Sequence, residues 1–206
     1  MRTILDHIIL GAGDLDAGVD LLDQLTGVKA AFGGIHPGRG TRNALLALGS
    51  SCYLEIMAPD PQQSSLSWFT QLQSLREPKL IGWAVRTSKL DAVAYSAGKL
   101  GVGIGGPQLG SRARPAGGML RWTLLRCLSD RTGLLPIFID WGNSIHPARD
   151  APAGCELESF GLQTPDAPEL RHIFQVLSVD VELTSAEEPR MYARIKGPKG
   201  RVDLFS

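Results

Sequence analysis

The chain has 206 residues, 43% of them hydrophobic, and its 21 basic side chains balance 21 acidic ones. That length suits one sizeable domain or two small ones, and zero net charge argues against a broad nucleic-acid footprint, which needs a basic face. No apolar run approaches the roughly 20 residues of a membrane span, and "MRTILDHIIL" is too short and too acidic for a signal peptide.

A cytoplasmic protein is therefore expected. Cys52, Cys127 and Cys155 are isolated and odd in number, which suits a reducing compartment.

In chain order, "TILDHIIL" reads as an apolar strand. "DLDAGVDLLDQLTG" reads as a helix: Asp14 caps it, Leu15, Val19, Leu22 and Leu25 form one stripe, and Gly27 ends it. "VKAAFGG" is a short strand. "RNALLALG" and "CYLEIMAP" are two more, joined by the turn residues around Gly49 and Ser50. The following "QQSSLSWFTQLQSL" is compatible with a helix, with Leu66, Phe69, Leu72 and Leu75 on one side.

The plan then recurs. "LIGWAVRT" is a strand, "KLDAVAYSAGKLG" a helix ending at Gly101, and "VGIGGPQL" a weak strand; "MLRWTLLRCL" and "LLPIFIDWG" complete the set. A third pass runs through "CELESFGLQ", the helix "DAPELRHIFQVL", "VDVELT", "RMYARIKG" and "RVDLF". The expected organisation is a single domain: module one over about 1–60, a connector helix over about 61–78, module two over about 79–150, and a third partial module over about 155–206.

The copies align. Both helices of the first two modules start with Leu-Asp-Ala and end near Gly-Val. "HPGRGTRNALLAL" lies over "RPAGGMLRWTLLR" without a gap, pairing His36 with Arg114, Pro37 with Pro115, Gly40 with Gly118 and Asn43 with Arg121. The fourth strands each hold one carboxylate between apolar residues: Glu55, Asp140 and Asp203.

With "LDHIILGAGDLDAG", "GGIHPGRGTRNALLALG", "YLEIMAP", "GSRARPAGGMLRW" and "LPIFIDWGNSIHPA", nearly the whole chain resembles the glyoxalase-like domain proteins of the vicinal oxygen chelate superfamily. That superfamily includes glyoxalase I, extradiol dioxygenases and bleomycin-resistance proteins. The resemblance implies an α+β fold, in which tandem βαβββ modules form a curved mixed sheet with a cleft and a third partial βαβββ-like segment is appended. It also implies a divalent metal held by a histidine or glutamine on a first strand and a glutamate on a fourth strand. Carried over, His7 and Glu55 fall at ligand positions of module one, and Asp140 lies on the fourth strand of module two. The first strand of module two offers only Gly82 or Trp83, so the ligand set is one donor short.

Strand geometry gives a separate argument. Alternate side chains share a face, so His7 goes with Ile9, and Tyr53 with Glu55 and Met57. If both sets face the cleft, imidazole and carboxylate converge, and Asp140 could join them. Such a set suits Zn, Fe(II), Mn or Ni, which would polarise a carbonyl or stabilise an enediolate. The same residues could instead simply hydrogen-bond each other or pair with arginines.

Arg39, Arg42, Arg112, Arg114 and Arg121 cluster in the two matched segments, where guanidinium groups favour carboxylate or phosphate ligands. The expected substrate contacts are Arg39, Asn43, Arg114, Arg121, Trp122 and His146, with His36 as acid or base. Two functions follow. One is a metal-dependent isomerase, lyase or dioxygenase acting on a small oxygenated anionic metabolite. The other is a metal-free protein that binds or sequesters a small molecule. Neither involves nucleic acid or membrane, and a homodimer stays open because tandem modules of this kind often pair.

Overall fold

The first strand, β1 (Ile4–Gly11), divides its side chains between two environments. Ile8 and Leu10 enter the main hydrophobic core, whereas His7 and Ile9 line a cavity on the opposite face. The period of two along a strand causes this. It recurs in β4 (Tyr53–Pro59), where Leu54, Ile56 and Ala58 go to the core and Tyr53, Glu55 and Met57 to the cavity. The computed structural model describes residues 2–206 except 65, 67, 68, 115, 116, 129, 131 and 132.

Between these strands lie α1 (Leu15–Thr26), β2 (Ala31–His36) and β3 (Thr41–Ala47). Asp14 caps α1 by accepting the Ala17 N–H at 2.9 Å, and Gly27 ends it with φ 81°. The buried stripe is Leu15, Val19, Leu22 and Thr26. Leu25, expected on that stripe, is 38% exposed. Thr26 takes the inner place because its hydroxyl donates to the Leu22 carbonyl at 2.6 Å, which satisfies it inside the core.

The second module repeats the order with β5 (Lys79–Arg86), α2 (Leu90–Lys99), β6 (Ile104–Ala113), β7 (Met119–Cys127) and β8 (Ile137–Asp140). The weak strand is longer than expected: β6 runs ten residues, through Arg112. The matched segments do form the β2–β3 and β6–β7 connections, with Gly40 and Gly118 at φ 75° and 83°. Pro115, paired with Pro37, lies outside the described residues.

Among the described residues of the connector no α-helix forms where one was expected. Its regular part is one 3₁₀ turn, Thr70–Ser74, and residues 65, 67 and 68 lie outside the described residues. Its apolar residues fall at 66, 69, 72 and 75, a spacing of three that matches the 3₁₀ period rather than 3.6. Leu72 is fully buried against Ile9, Met57 and Ile81, with Leu66, Phe69 and Leu75 around it.

Eight strands form one curved mixed sheet in the order β2-β3-β4-β1-β5-β8-β7-β6. Each module closes its first strand in parallel on its fourth, β1 on β4 and β5 on β8, and the two first strands meet antiparallel at the centre. The curl brings the edge strands β2 and β6 together. Side chains bridge that seam: Arg112 donates to the Gly33 carbonyl, and Arg39 donates to Gln108 Oε1 at 3.1 Å and to the Leu109 carbonyl at 3.4 Å.

The third segment has the same element order, β9 (Glu156–Thr164), α3 (Ala167–Leu177), β10 (Glu182–Ser185), β11 (Arg190–Gly197) and β12 (Gly200–Phe205). Its pairing differs. β9 lies between β10 and β11, giving a separate sheet in the order β10-β9-β11-β12. It contributes Phe160, Leu162, Phe174, Ala193 and Ile195 to the main core, so it covers the convex face of the large sheet, away from the cavity. No helix among the described residues is long and apolar enough to cross a membrane.

Trp83 ties these layers together. It is 1% exposed, donates to the Leu134 carbonyl at 2.9 Å, and packs on Phe160 and Phe174 at ring separations of 5.2 and 6.0 Å. Trp83→Ala should cost about 3–5 kcal/mol in chemical denaturation. A loss below about 1 kcal/mol would show that the third segment does not share the core of the large sheet.

Candidate functional site

The concave face of the curved sheet encloses about 650 Å³, counting space open to solvent. Its floor comes from module one: His7 and Ile9 on β1, Tyr53, Glu55 and Met57 on β4, Thr41 and Asn43 on β3, and His36 at the end of β2. Module two supplies Arg112, Trp122, Leu124, Ile137, Ile139 and Trp141.

The polar floor converges on Glu55, which is 5% exposed. Its Oε1 accepts the Asn43 amide at 2.6 Å, and its Oε2 lies 3.6 Å from His7 Nε2. His36 Nε2 lies 3.7 Å from Oε1 and 3.3 Å from the Asn43 nitrogen. Asn43 thus offers one N–H to the carboxylate and the other to His36, whose Nε2 must accept. His36 Nδ1 then carries the proton and donates to the Thr41 hydroxyl at 2.8 Å.

Behind His7 is Asp6, with no exposed surface. A register shift between Leu5 and His7 leaves Asp6 without a partner on β5, and this bulge sets its carboxylate beside His7. His7 Nδ1 donates to Asp6 Oδ1 at 2.7 Å. Oδ2 accepts both the Trp141 indole and His146 Nε2, each at 3.0 Å, and Arg86 stands 3.8 Å away. His146 Nδ1 in turn accepts the Ala148 N–H at 3.3 Å. The Nδ1 bond of His7 leaves its Nε2 facing Glu55, while the ring stacks on Tyr53 with centroids 4.7 Å apart.

The two cavity histidines are shifted in opposite directions. Burial alone would lower the pKa of His7, but the Asp6 hydrogen bond and the charges of Asp6 and Glu55 outweigh it and raise the value. Burial pushes His36 down, and the positive charges of Arg112, Arg39 and His7 add to that against the pull of Glu55. Burial would raise Asp6, yet the hydrogen bonds and charges of His146 and His7 hold it well below the usual carboxylate range. Burial likewise pushes the Cys52 and Cys127 thiols up to about 12, so neither supplies a thiolate nucleophile.

The expected site residues divide. His7, His36, Arg39, Asn43, Glu55 and Trp122 line this cavity together. Asp140 does not. On β8 the cavity-facing residues are Ile137 and Ile139, so Asp140 has the opposite parity. It lines a second depression with Arg121 and accepts the Gly142 N–H at 2.8 Å. Arg114 sits beyond the end of β6 in an ion pair with Asp150 at 2.6 Å. His146 stands behind the wall, bound to Asp6. Asp6 was not expected, although a charge inside an apolar strand is a signal in itself, because such groups are rarely buried unpaired. Arg112, noted in the arginine cluster, is the member of that cluster on β6 that enters the cavity; it is 5% exposed.

The metal expected from the resemblance does not fit these donors. Opposite His7 and Glu55, module two presents Ile137 and Ile139; its first-strand position Gly82 has no side chain, and one there would meet Phe69 and Ile9. The Asn43 amide already fills the space between Glu55 and His36. Among the described residues no group of three or more His, Cys, Asp or Glu is arranged to hold an ion.

Comparisons with known proteins agree with the fold. The profile of a family described as "Glyoxalase-like domain" matches residues 5–177. A hypothetical protein from Staphylococcus aureus superposes with TM-score 0.65 at 19% identity, over 98% of this chain and 85% of that one. A variant of Streptomyces coelicolor methylmalonyl-CoA epimerase, in complex with 2-nitronate-propionyl-CoA, gives 0.51 at 22% identity over 71% of this chain and 100% of that one. A hypothetical protein from Bacillus halodurans C-125 gives 0.50 at 18% identity over 70% and 99%. No curated protein matches at a significant level.

Two outcomes are expected. In an NMR titration His7 should titrate above 6.5 and His36 below it. His7 then contributes stability that is complete below about 6.5 and is lost as pH rises through its folded pKa; His36 contributes above 6.5 and loses it as pH falls. The reverse order of the two imidazoles would refute this electrostatic picture. Second, Asp6→Asn leaves the buried donors of His7, Trp141 and His146 without their carboxylate. It should lower stability at pH 7 by roughly 3–5 kcal/mol, read by denaturant midpoint.

Proposed function

Because the chain belongs to the glyoxalase-like domain family of the vicinal oxygen chelate superfamily, we propose that its cavity binds a small oxygenated anion and moves a proton at carbon. The observation that carries this reading is the pair formed by Glu55 Oε2 and His7 Nε2, 3.6 Å apart and facing the same point of the cavity. A carboxylate and an imidazole so placed can act on one substrate from adjacent positions.

The steps use only these side chains. Arg39 and Arg112 reach the cavity from the seam and hold the substrate's anionic group. Glu55 Oε2 takes a proton from the carbon next to a carbonyl, and the C–H electron pair moves into the forming enolate. His7 in its protonated form, which the Asp6 hydrogen bond favours, donates its Nε2–H to the enolate oxygen and stabilises the charge developing there. Delivery of the proton by Glu55 to the neighbouring carbon of an enediolate completes an isomerisation; delivery to the same carbon returns the substrate with its hydrogen exchanged for one from solvent. Asn43 fixes the carboxylate rotamer through its 2.6 Å hydrogen bond, so Glu55 is oriented before substrate arrives.

No step runs through a metal, since the donors of module two that would complete an ion's shell are hydrocarbon or glycine. The alternative of a metal-free binding protein uses the same cavity without the proton step, and the test separates the readings.

Solvent-deuterium incorporation into small 2-oxo and 2-methyl-3-oxo acids, followed by NMR, should occur with the native protein. It should fall about 10²–10⁴-fold in Glu55→Gln. Chelator should leave the rate unchanged. Binding without exchange in any acid would favour the sequestering reading. Loss of exchange with chelator, restored by Zn or Mn, would overturn the metal-free route.

A further inference from the structure

The chemistry of the floor leaves the shape of the ligand open, and the walls address it. Four of the sixteen described residues lining the cavity are Phe, Tyr or Trp, against 6% in the whole chain. They come from separate elements: Tyr53 from β4, Phe69 from the connector, Trp122 from β7, and Trp141 just after β8. The two imidazoles, His7 and His36, add further planar surfaces.

These rings form a connected set. His7 stacks on Tyr53 at 4.7 Å with planes 24° apart. Trp122 packs on Trp141 at 5.6 Å and presents an edge arrangement to His36 at 6.2 Å. The strands of the convex face are mostly Leu, Ile, Val and Ala, with Trp83 and Phe138 as their fully buried rings. Glycines make room for the rings: Trp122 lies against Gly110, where a Cβ would come within 2.3 Å of the indole, and Phe69 lies against Gly82.

The Trp141 and Trp83 indoles donate within the protein, whereas the Trp122 N–H edge lies over Gly110 and has no acceptor among the described residues. Arg112 and Arg39 line the cavity at one side and supply the charge complement. Arg112 donates to a neutral acceptor, the Gly33 carbonyl, and a carboxylate is a stronger acceptor than that.

We propose that the ligand is an aromatic acid, a planar ring bearing a carboxylate, with its ring among Trp122, Trp141 and Tyr53 and its carboxylate at Arg39 and Arg112. Ring-on-ring contact adds to simple area burial, which an aliphatic ring of equal size does not gain. This rests on the anion-binding part of the reading above and narrows its ligand class; a substrate for the proton step would carry its carboxylate on the ring through an enolisable side chain.

Matched probes test it by calorimetry and tryptophan fluorescence: benzoate, 2-hydroxybenzoate, cyclohexanecarboxylate, acetate and benzamide. Benzoate should bind about tenfold more tightly than cyclohexanecarboxylate and quench tryptophan emission. Benzamide, the uncharged counterpart, should bind at least tenfold more weakly than benzoate. Trp122→Leu should remove the preference for benzoate over cyclohexanecarboxylate, and Trp122→Phe should keep most of it. If the cyclic acids bind equally well, the aromatic assignment fails and the anion reading stands. If no acid binds, while benzamide does, the anion reading itself fails.

Discussion

A single buried carboxylate organises the site. Asp6 is removed from water at a cost of several kcal/mol, and only its donors make that tolerable: His7, His146 and Trp141, with Arg86 close by. They come from three different parts of the chain. His7 stands on the first strand of module one, Arg86 on the first strand of module two, and Trp141 and His146 on the segment that leaves β8. One charge therefore sets the register of both halves of the cavity, and His7 cannot rotate without stranding it. The device depends on a one-residue bulge in β1, because a regular strand would send residues 6 and 7 to opposite faces.

Duplication shaped the scaffold, and the copies then took different work. Module one carries the charged floor of histidines, carboxylate and amide. Module two carries Ile137, Ile139, Leu124 and the two tryptophans that form an apolar wall, with Arg112 at its edge. A symmetric pair of modules would present two equivalent polar sets; this one faces a polar half with an apolar half. An enolisable acid has the same division along its length, and the low dielectric of the apolar side strengthens each interaction on the polar side.

Much of the fold could be read from residues alone, because it rests on local signals. Alternation in "YLEIM" told which side chains share a face, the Asp14 and Gly27 caps bounded the first helix, and the repeated Leu-Asp-Ala marked the duplication. The site was legible where one strand's parity decided it, as for His7 and Glu55. It was not legible at Asp140, whose parity depends on where β8 enters the sheet, or at Asp6, whose direction depends on a bulge. The third segment illustrates another limit. Its element order is that of the modules, yet order says nothing about which strands pair, and β9 chose β10 and β11 as neighbours.

The seam between β2 and β6 gives the cavity a property that ordinary barrels lack. A barrel closed by backbone hydrogen bonds has its bore set by strand number and tilt. Here two long side chains complete the circumference, and each can change length by rotating about its own bonds. The opening at this edge is thus set by the reach of two side chains, and an exchange at either position alters it without touching the pairing of the eight strands.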